Sequence, residues 1–283
     1  GGKTDINITL DKDIDLTGKG WTPIGTNYEN RYKGTFDGRG HTIKGLTVTT
    51  NDQFVGLFGY LDRAGTVKNV VMEDIQITSN HVLMSGNTGG VVGYSWGTIE
   101  NCSVSGSVSG TNCVGGVVGS QKVGSIIGCS SSAIVKGTRY VGGVAGEKWG
   151  TMTACYATGN VTLEFGSHNN LSGGGVVGLS GGNRVLACYA IGNVTSTGSS
   201  TGNVHIGGLL GDSYTEVTAC YWKNNQEQGI GRNQHSTAPE ATKVDGATVK
   251  WQAAVDGMNT ALQNASSEWR YELKGALPTL RKQ

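Results

Sequence analysis

The phrase Val114-Gly115-Gly116-Val117-Val118-Gly119 carries no reactive side chain, yet close variants recur at 55–59, 89–93, 141–146, 174–178 and 206–211. The closing glycines, Gly59, Gly93, Gly119, Gly146, Gly178 and Gly211, stand 34, 26, 27, 32 and 33 residues apart. Self-similarity at such a period marks a stack of supersecondary units, none of which can bury its apolar face alone.

Aligned on those glycines, the units share two further columns. Nine to eleven residues on come Val70, Cys102, Cys129, Cys155, Cys188 and Cys220. Three residues before that column stand Val67, Ile99, Ile126, Met152, Val185 and Val217, all apolar. From the cysteine onward the preference steps by two, as in Cys155, Ala157, Gly159 and Val161, which is the period of a strand with one buried face. Each unit therefore reads as one coil of a parallel β-solenoid, with adjacent coils about 4.8 Å apart. A β-propeller blade needs four antiparallel strands in about 40–50 residues, and the spacing of a leucine-rich repeat is absent. The glycines are expected to supply positive φ at sharp turns.

The six cysteines do not read as a disulfide framework. Five share a column in which the first unit has valine, so a ladder of buried thiols is expected, with cysteine acting as a small hydrophobe. Cys113 lies outside the column and is the candidate for a partly exposed thiol. No C-x-x-C pair exists, and a linear stack is not a tetrahedral metal site.

The ends change character. Residues 1–53 read as irregular opening coils, 54–222 as the repeat solenoid, and 223–283 as a C-terminal cap, the three forming one continuous domain. After Trp222 the chain to 247 is polar and loop-like, and Trp251, Val255, Met258 and Leu262 then fall at helical spacing, predicting a capping helix near 248–265. The segment 275–280 is expected to dock as a final extended piece. A net charge of +1 offers no basic surface for nucleic acid or anionic lipid, and no apolar run approaches the roughly 20 residues of a membrane span.

With six copies in register, the G-[VL]-x-G phrase resembles the GLUG-motif repeats of bacterial cell-surface and secreted proteins. The likeness covers 54 to about 222, and the phrase at 34–43 and Leu277-Pro278-Thr279-Leu280 are similar to the flanks of such proteins. The resemblance implies a right-handed parallel β-helix, export through a leader since removed, outer-membrane anchoring and an adhesin-like role. It brings no catalytic residues, and the H-E-x-x-H motif of metallopeptidase relatives is absent here.

The rival function is a polysaccharide lyase or hydrolase, which needs paired carboxylates or an acid cluster for calcium. Between 75 and 211 the acids Glu100, Glu147 and Glu164 fall at different places in different units, so no catalytic residue, metal site or cofactor is expected. On the same grounds Glu147 or Glu164 to Gln should change little, whereas Cys155→Asp should unfold the rod.

Binding has more support, with a glycan or an extracellular protein as partner. Long inserts at 78–88, 162–172 and 195–204 leave one corner of the coil, and loops on a rigid scaffold are where recognition resides. They contribute His81, Asn87, His168, Asn169, Asn170 and Asn203. Trp96 and Trp149 share a column, with Val123 between them and Tyr214 further along. A third possibility is a structural stalk of a larger surface protein.

Overall fold

A computed structural model of the chain describes residues 4–83, 85–165, 170–200 and 202–283. It is a parallel β-solenoid whose coils each cross four sheets in turn. One coil illustrates the path: Thr98–Glu100 in sheet I, Ser103–Ser109 in sheet II, Cys113–Gly115 in sheet III and Val118–Gln121 in sheet IV. Equivalent strands pair in register from coil to coil. The expected apolar column is a continuous ladder in sheet I, Val67–Ile99–Ile126–Met152–Val185–Val217, and it extends back through Phe36 to Ile8.

The corner from sheet I to sheet II is turned by one residue of positive φ just before the cysteine column. Asn69, Asn101, Ala154, Ala187 and Ala219 lie at φ 50–54°, and Gly128 at 63°. Immediately inside it, Cys102, Cys129, Cys155, Cys188 and Cys220 are all free and buried. Their backbones hold the next thiol, as where Cys155 N–H donates to Cys188 Sγ at 3.4 Å. Cys113 is buried as well, at 2% exposure, so the expectation of a partly exposed thiol is overturned.

The glycine phrase turns the corner from sheet III to sheet IV, but not by positive φ, which none of the six closing glycines adopts. The reason is close approach of backbones. A Cβ on Gly146 would stand 2.4 Å from Val114 N, and one on Gly115 2.7 Å from Gly146 N. The corner is re-entrant: its middle glycines press across the coil onto sheet II, where a Cβ on Gly143 would lie 2.5 Å from that of Ala157 and one on Gly175 2.6 Å from that of Ala190. Inside, the cross-section is pinched. Outside, sheets III and IV become the walls of a groove with a bare-backbone floor.

Residues 223–247, read as loop-like, add another partial coil: Ile230–Asn233 joins sheet IV and Ala241–Lys243 joins sheet II. The helix spans Trp251–Asn264 and buries the expected Trp251, Val255, Met258 and Leu262. It packs on the outside of the I–II corner against Ala154, Leu186, Ala187 and Tyr189. Gly257 makes room there for the Tyr221 hydroxyl, which a Cβ would meet at 2.2 Å unless that side chain shifted. The antiparallel hairpin Trp269–Lys274 and Leu277–Lys282 then runs back along the flank. Tyr271 Oη donates to Ala187 O at 3.0 Å, Tyr189 Oη to Pro278 O at 2.6 Å, and Lys282 Nζ to Glu100 at 2.8 Å. No helix among the described residues is long and apolar enough to cross a membrane.

Candidate binding groove

The re-entrant corner forms a groove of about 850 Å³, running from Asn27 and Tyr28 to Leu179. Its first wall is the outward column of sheet III: Phe54, Asn87, Cys113, Tyr140, Ser172 and His205 in register. Its second is the outward column of sheet IV: Tyr60, Tyr94, Ser120, Glu147, Leu179 and Asp212. The walls meet low down, where Cys113 Sγ lies 3.7 Å from Glu147 Oε2.

The tryptophans crown the second wall. Backbone bonds from Trp96 to Leu61, Lys122 to Ser95, Trp149 to Gln121, Gly181 to Lys148 and Tyr214 to Ser180 define one column. Lys122, and not Val123, therefore stands between Trp96 and Trp149. Tyr214 is on the same column two coils beyond Trp149, past the end of the groove.

At the N-terminal end the groove is an aromatic box. Trp96 is half-buried, with ring centroids 5.7 Å from Tyr60 and 6.1 Å from Tyr28, and Tyr60 packs on Tyr94 at 4.9 Å. Trp149 is 41% exposed, and the benzene half of its indole lies over Gly181, where a Cβ would come within 2.7 Å of the ring. Its indole N–H donates to Glu147 Oε1 at 2.7 Å, which fixes the ring at the lip.

Glu147 is the hub of this wall. Its carboxylate also accepts from Ser120 Oγ at 2.8 Å and pairs with Lys122 Nζ at 2.6 Å. Burial would raise its pKa, but the Lys122 charge and the three hydrogen bonds outweigh burial and hold the carboxyl below its usual range. The expectation that Glu147 is dispensable is thus corrected, since the side chain organises Ser120, Lys122 and Trp149 together. Two coils on, Asp212 occupies the same column and is paired with Arg232, whose Nε donates at 3.0 Å.

The insert edge is the opposite lip of the same groove. Ser85, Asn112 and Arg139 line it from the loop side, with Arg139 stacked 4.5 Å over the Tyr140 ring. Asn87 sits in the wall, buried, and its amide donates to Ser85 O at 2.6 Å. His81 pins the first insert, with Nδ1 3.0 Å from Asn51 O and Nε2 3.2 Å from Ser85 Oγ. Asn170 and Asn203 pair in register and are exposed, three and four coils beyond Asn87. His168 and Asn169 lie outside the described residues. Trp96, Trp149 and Asn87 are thus brought to one groove, whereas His81, Asn170, Asn203 and Tyr214 stand on its margins. Sequence reasoning missed Glu147, Lys122, Tyr94 and Arg139, although counting coil by coil from the closing glycine places Tyr94, Ser120 and Glu147 on one column. No group of three His, Cys, Asp or Glu side chains among the described residues is placed to hold a metal ion.

Comparison with known proteins agrees with this architecture. The GLUG motif matches residues 84–109, which run from the end of the first insert through one circuit of the four sheets, Asn87–Gly89, Val92–Ser95, Thr98–Glu100 and Ser103–Ser109. Halomucin of Haloquadratum walsbyi is 39% identical over 103 residues, 36% of this chain and 1% of that protein. A candidate Gly-rich membrane protein of Evansella cellulosilytica is 34% identical over 108 residues, 35% of this chain and 12% of its own length. The chain therefore matches only a small part of either relative. A crystal structure of a candidate immunoglobulin A1 protease from Bacteroides ovatus superposes with a TM-score of 0.72 at 20% identity, covering 99% of this chain and 87% of that one, a likeness of fold alone. The chain is thus a parallel β-solenoid in which one coil matches the GLUG motif, and the glycine phrase within that match recurs at the re-entrant corner of the neighbouring coils.

Proposed function

We propose that this chain is a non-catalytic module of a larger surface protein and binds glycan along the re-entrant groove. The observation that carries the reading is Trp149, held half-exposed at the lip by Glu147 and laid over Gly181 with its outer face to solvent. Aromatic faces beside hydrogen-bonding groups suit the apolar faces and hydroxyl edges of sugar rings. The surface setting is supported by the relatives, one named a membrane protein.

A hydrolytic reading is disfavoured by the same wall. Glu147 and Asp212 share a column two coils apart, about 10 Å, near the upper limit for an inverting pair. A glycosidase acid must keep its proton near neutral pH through a raised pKa, and Glu147 is shifted the other way. Asp212 is tied to Arg232 by two donors.

The test is to incubate the purified protein with immobilised polysaccharides and matrix proteins, scoring both retention and released products. Retention on glycan without products, lost in Trp149→Ala, is the expected result. Released oligosaccharide would establish an enzyme instead, and no retention on any glycan would leave a stalk or a protein-binding module.

A further inference from the structure

Resting on the glycan-binding reading, we infer that the groove takes an extended β-1,4-linked glycan lying along the solenoid axis, one sugar per coil. The lip column reads Trp96, Lys122, Trp149, Gly181, Tyr214 on successive coils. By backbone register an aromatic residue thus recurs at every second rung, with a non-aromatic residue between. Two rungs are about 10 Å of backbone separation.

An extended β-1,4-linked chain has the matching symmetry. It advances by nearly one coil spacing per sugar, and successive rings are turned over, so every second sugar presents the same face to one side. Stacking platforms at every second coil therefore meet equivalent faces. The intervening rungs meet the alternate sugars, whose hydroxyl edges face the lip there. Lys122 suits that position: its ammonium has three donors, of which the Glu147 contact at 2.6 Å uses one. Gly181, at the other intervening rung, presents no side chain of its own and carries the edge of the Trp149 ring. A helical α-1,4-linked chain or a curved β-1,3-linked chain brings no such alternation in line with a straight column.

Charge favours a neutral chain. Along the walls Glu147 is matched by Lys122, Asp212 by Arg232, and Asp62 by Arg31. The remaining cation in the groove lining, Arg139, is on the far lip over Tyr140.

The experiment is calorimetric titration of the whole chain with β-1,4-linked gluco-, xylo-, manno- and N-acetylglucosamine oligosaccharides of two to six sugars, beside α-1,4- and β-1,3-linked glucose chains. For one of the β-1,4 series, affinity is expected to step up from di- to trisaccharide, when two platforms are first spanned, and again from tetra- to pentasaccharide, when Tyr214 is reached. Each platform removed should weaken binding roughly tenfold. Trp149→Ala should act at every length from three upward, and Tyr214→Ala only from five. Trp149→Tyr, which keeps an aromatic face, should recover most of the loss, and an unchanged melting temperature separates loss of contact from loss of fold. Equal binding of α-1,4 or β-1,3 chains, or a smooth length dependence, would overturn the linkage inference while leaving the groove as a glycan site. Failure of every saccharide to bind would overturn both readings.

Discussion

The glycines of the repeat phrase illustrate how a residue's role depends on what faces it. Gly146→Ala would drive a methyl group into the backbone of Val114 and the carbonyl of Gly119, atoms that cannot swing aside. A loss of about 3 kcal/mol or more is expected by denaturant titration. Gly20→Ala, with nothing within 4 Å of the added carbon, should stay within about 0.5 kcal/mol. Lys148, next to Glu147 but facing inward, shows the opposite extreme. It is wholly buried, and desolvation brings its amine down to about 7 from 10.5. Between those two values the unfolded chain binds the extra proton, so stability should rise with pH across that window and the penalty should be full at and below pH 7. Lys148→Met is therefore expected to melt higher than the parent at pH 7, by a few kcal/mol, and the two curves should converge above about pH 10.5. Equal gaps at both pH values would show that the amine is not desolvated in the folded protein.

At the scale of elements, the I–II corner records what rests on it. Where the corner faces solvent the residue is asparagine, with Asn101 Nδ2 donating to Asn69 Oδ1 at 2.8 Å and Asn69 to Asp37 at 2.9 Å. Where Trp269 lies on it the residue is Gly128, and under the helix it is Ala154 and Ala187. Alanine tolerates left-handed backbone poorly, and burial against the helix offsets that strain. Trp269→Ala should cost about 3–5 kcal/mol and loosen the corner at Gly128, which it covers, first, seen as faster amide exchange there than in sheet IV. Uniform exchange throughout would argue against the hairpin as a brace. The strands and inward columns were legible in the sequence because period-two alternation repeats with uniform chemistry, as in Val67 through Val217. The groove wall was not. Tyr60, Tyr94, Ser120, Glu147, Leu179 and Asp212 share a position but no chemistry, so no pattern announces them. The partial coil at 230–243 was hidden for a similar reason: its strands follow the stacked register while keeping only a shortened phrase, Gly229-Ile230-Gly231, with Gly231 in the column of closing glycines. The left-handed alanines escaped notice because alanine rarely signals a turn.

For the molecule as a whole, parallel register converts a one-dimensional repeat into straight lines of side chains, and the two lips of the groove are such lines. Because the wall charges are paired across neighbouring coils, binding of a neutral glycan should be nearly indifferent to ionic strength. Titrations at low and at high salt are expected to agree within about twofold, since screening acts on unpaired exposed charge. A steep salt dependence would instead point to a charged ligand at Arg139. The bare floor of the groove carries a further consequence. Two glycine columns make it out of main chain, so it is the same under every coil whatever the walls display. Length and content are thereby inherited separately: duplicating a coil adds one graduation to a ruler, while a point substitution on a wall changes the mark at one graduation and leaves the ruler straight.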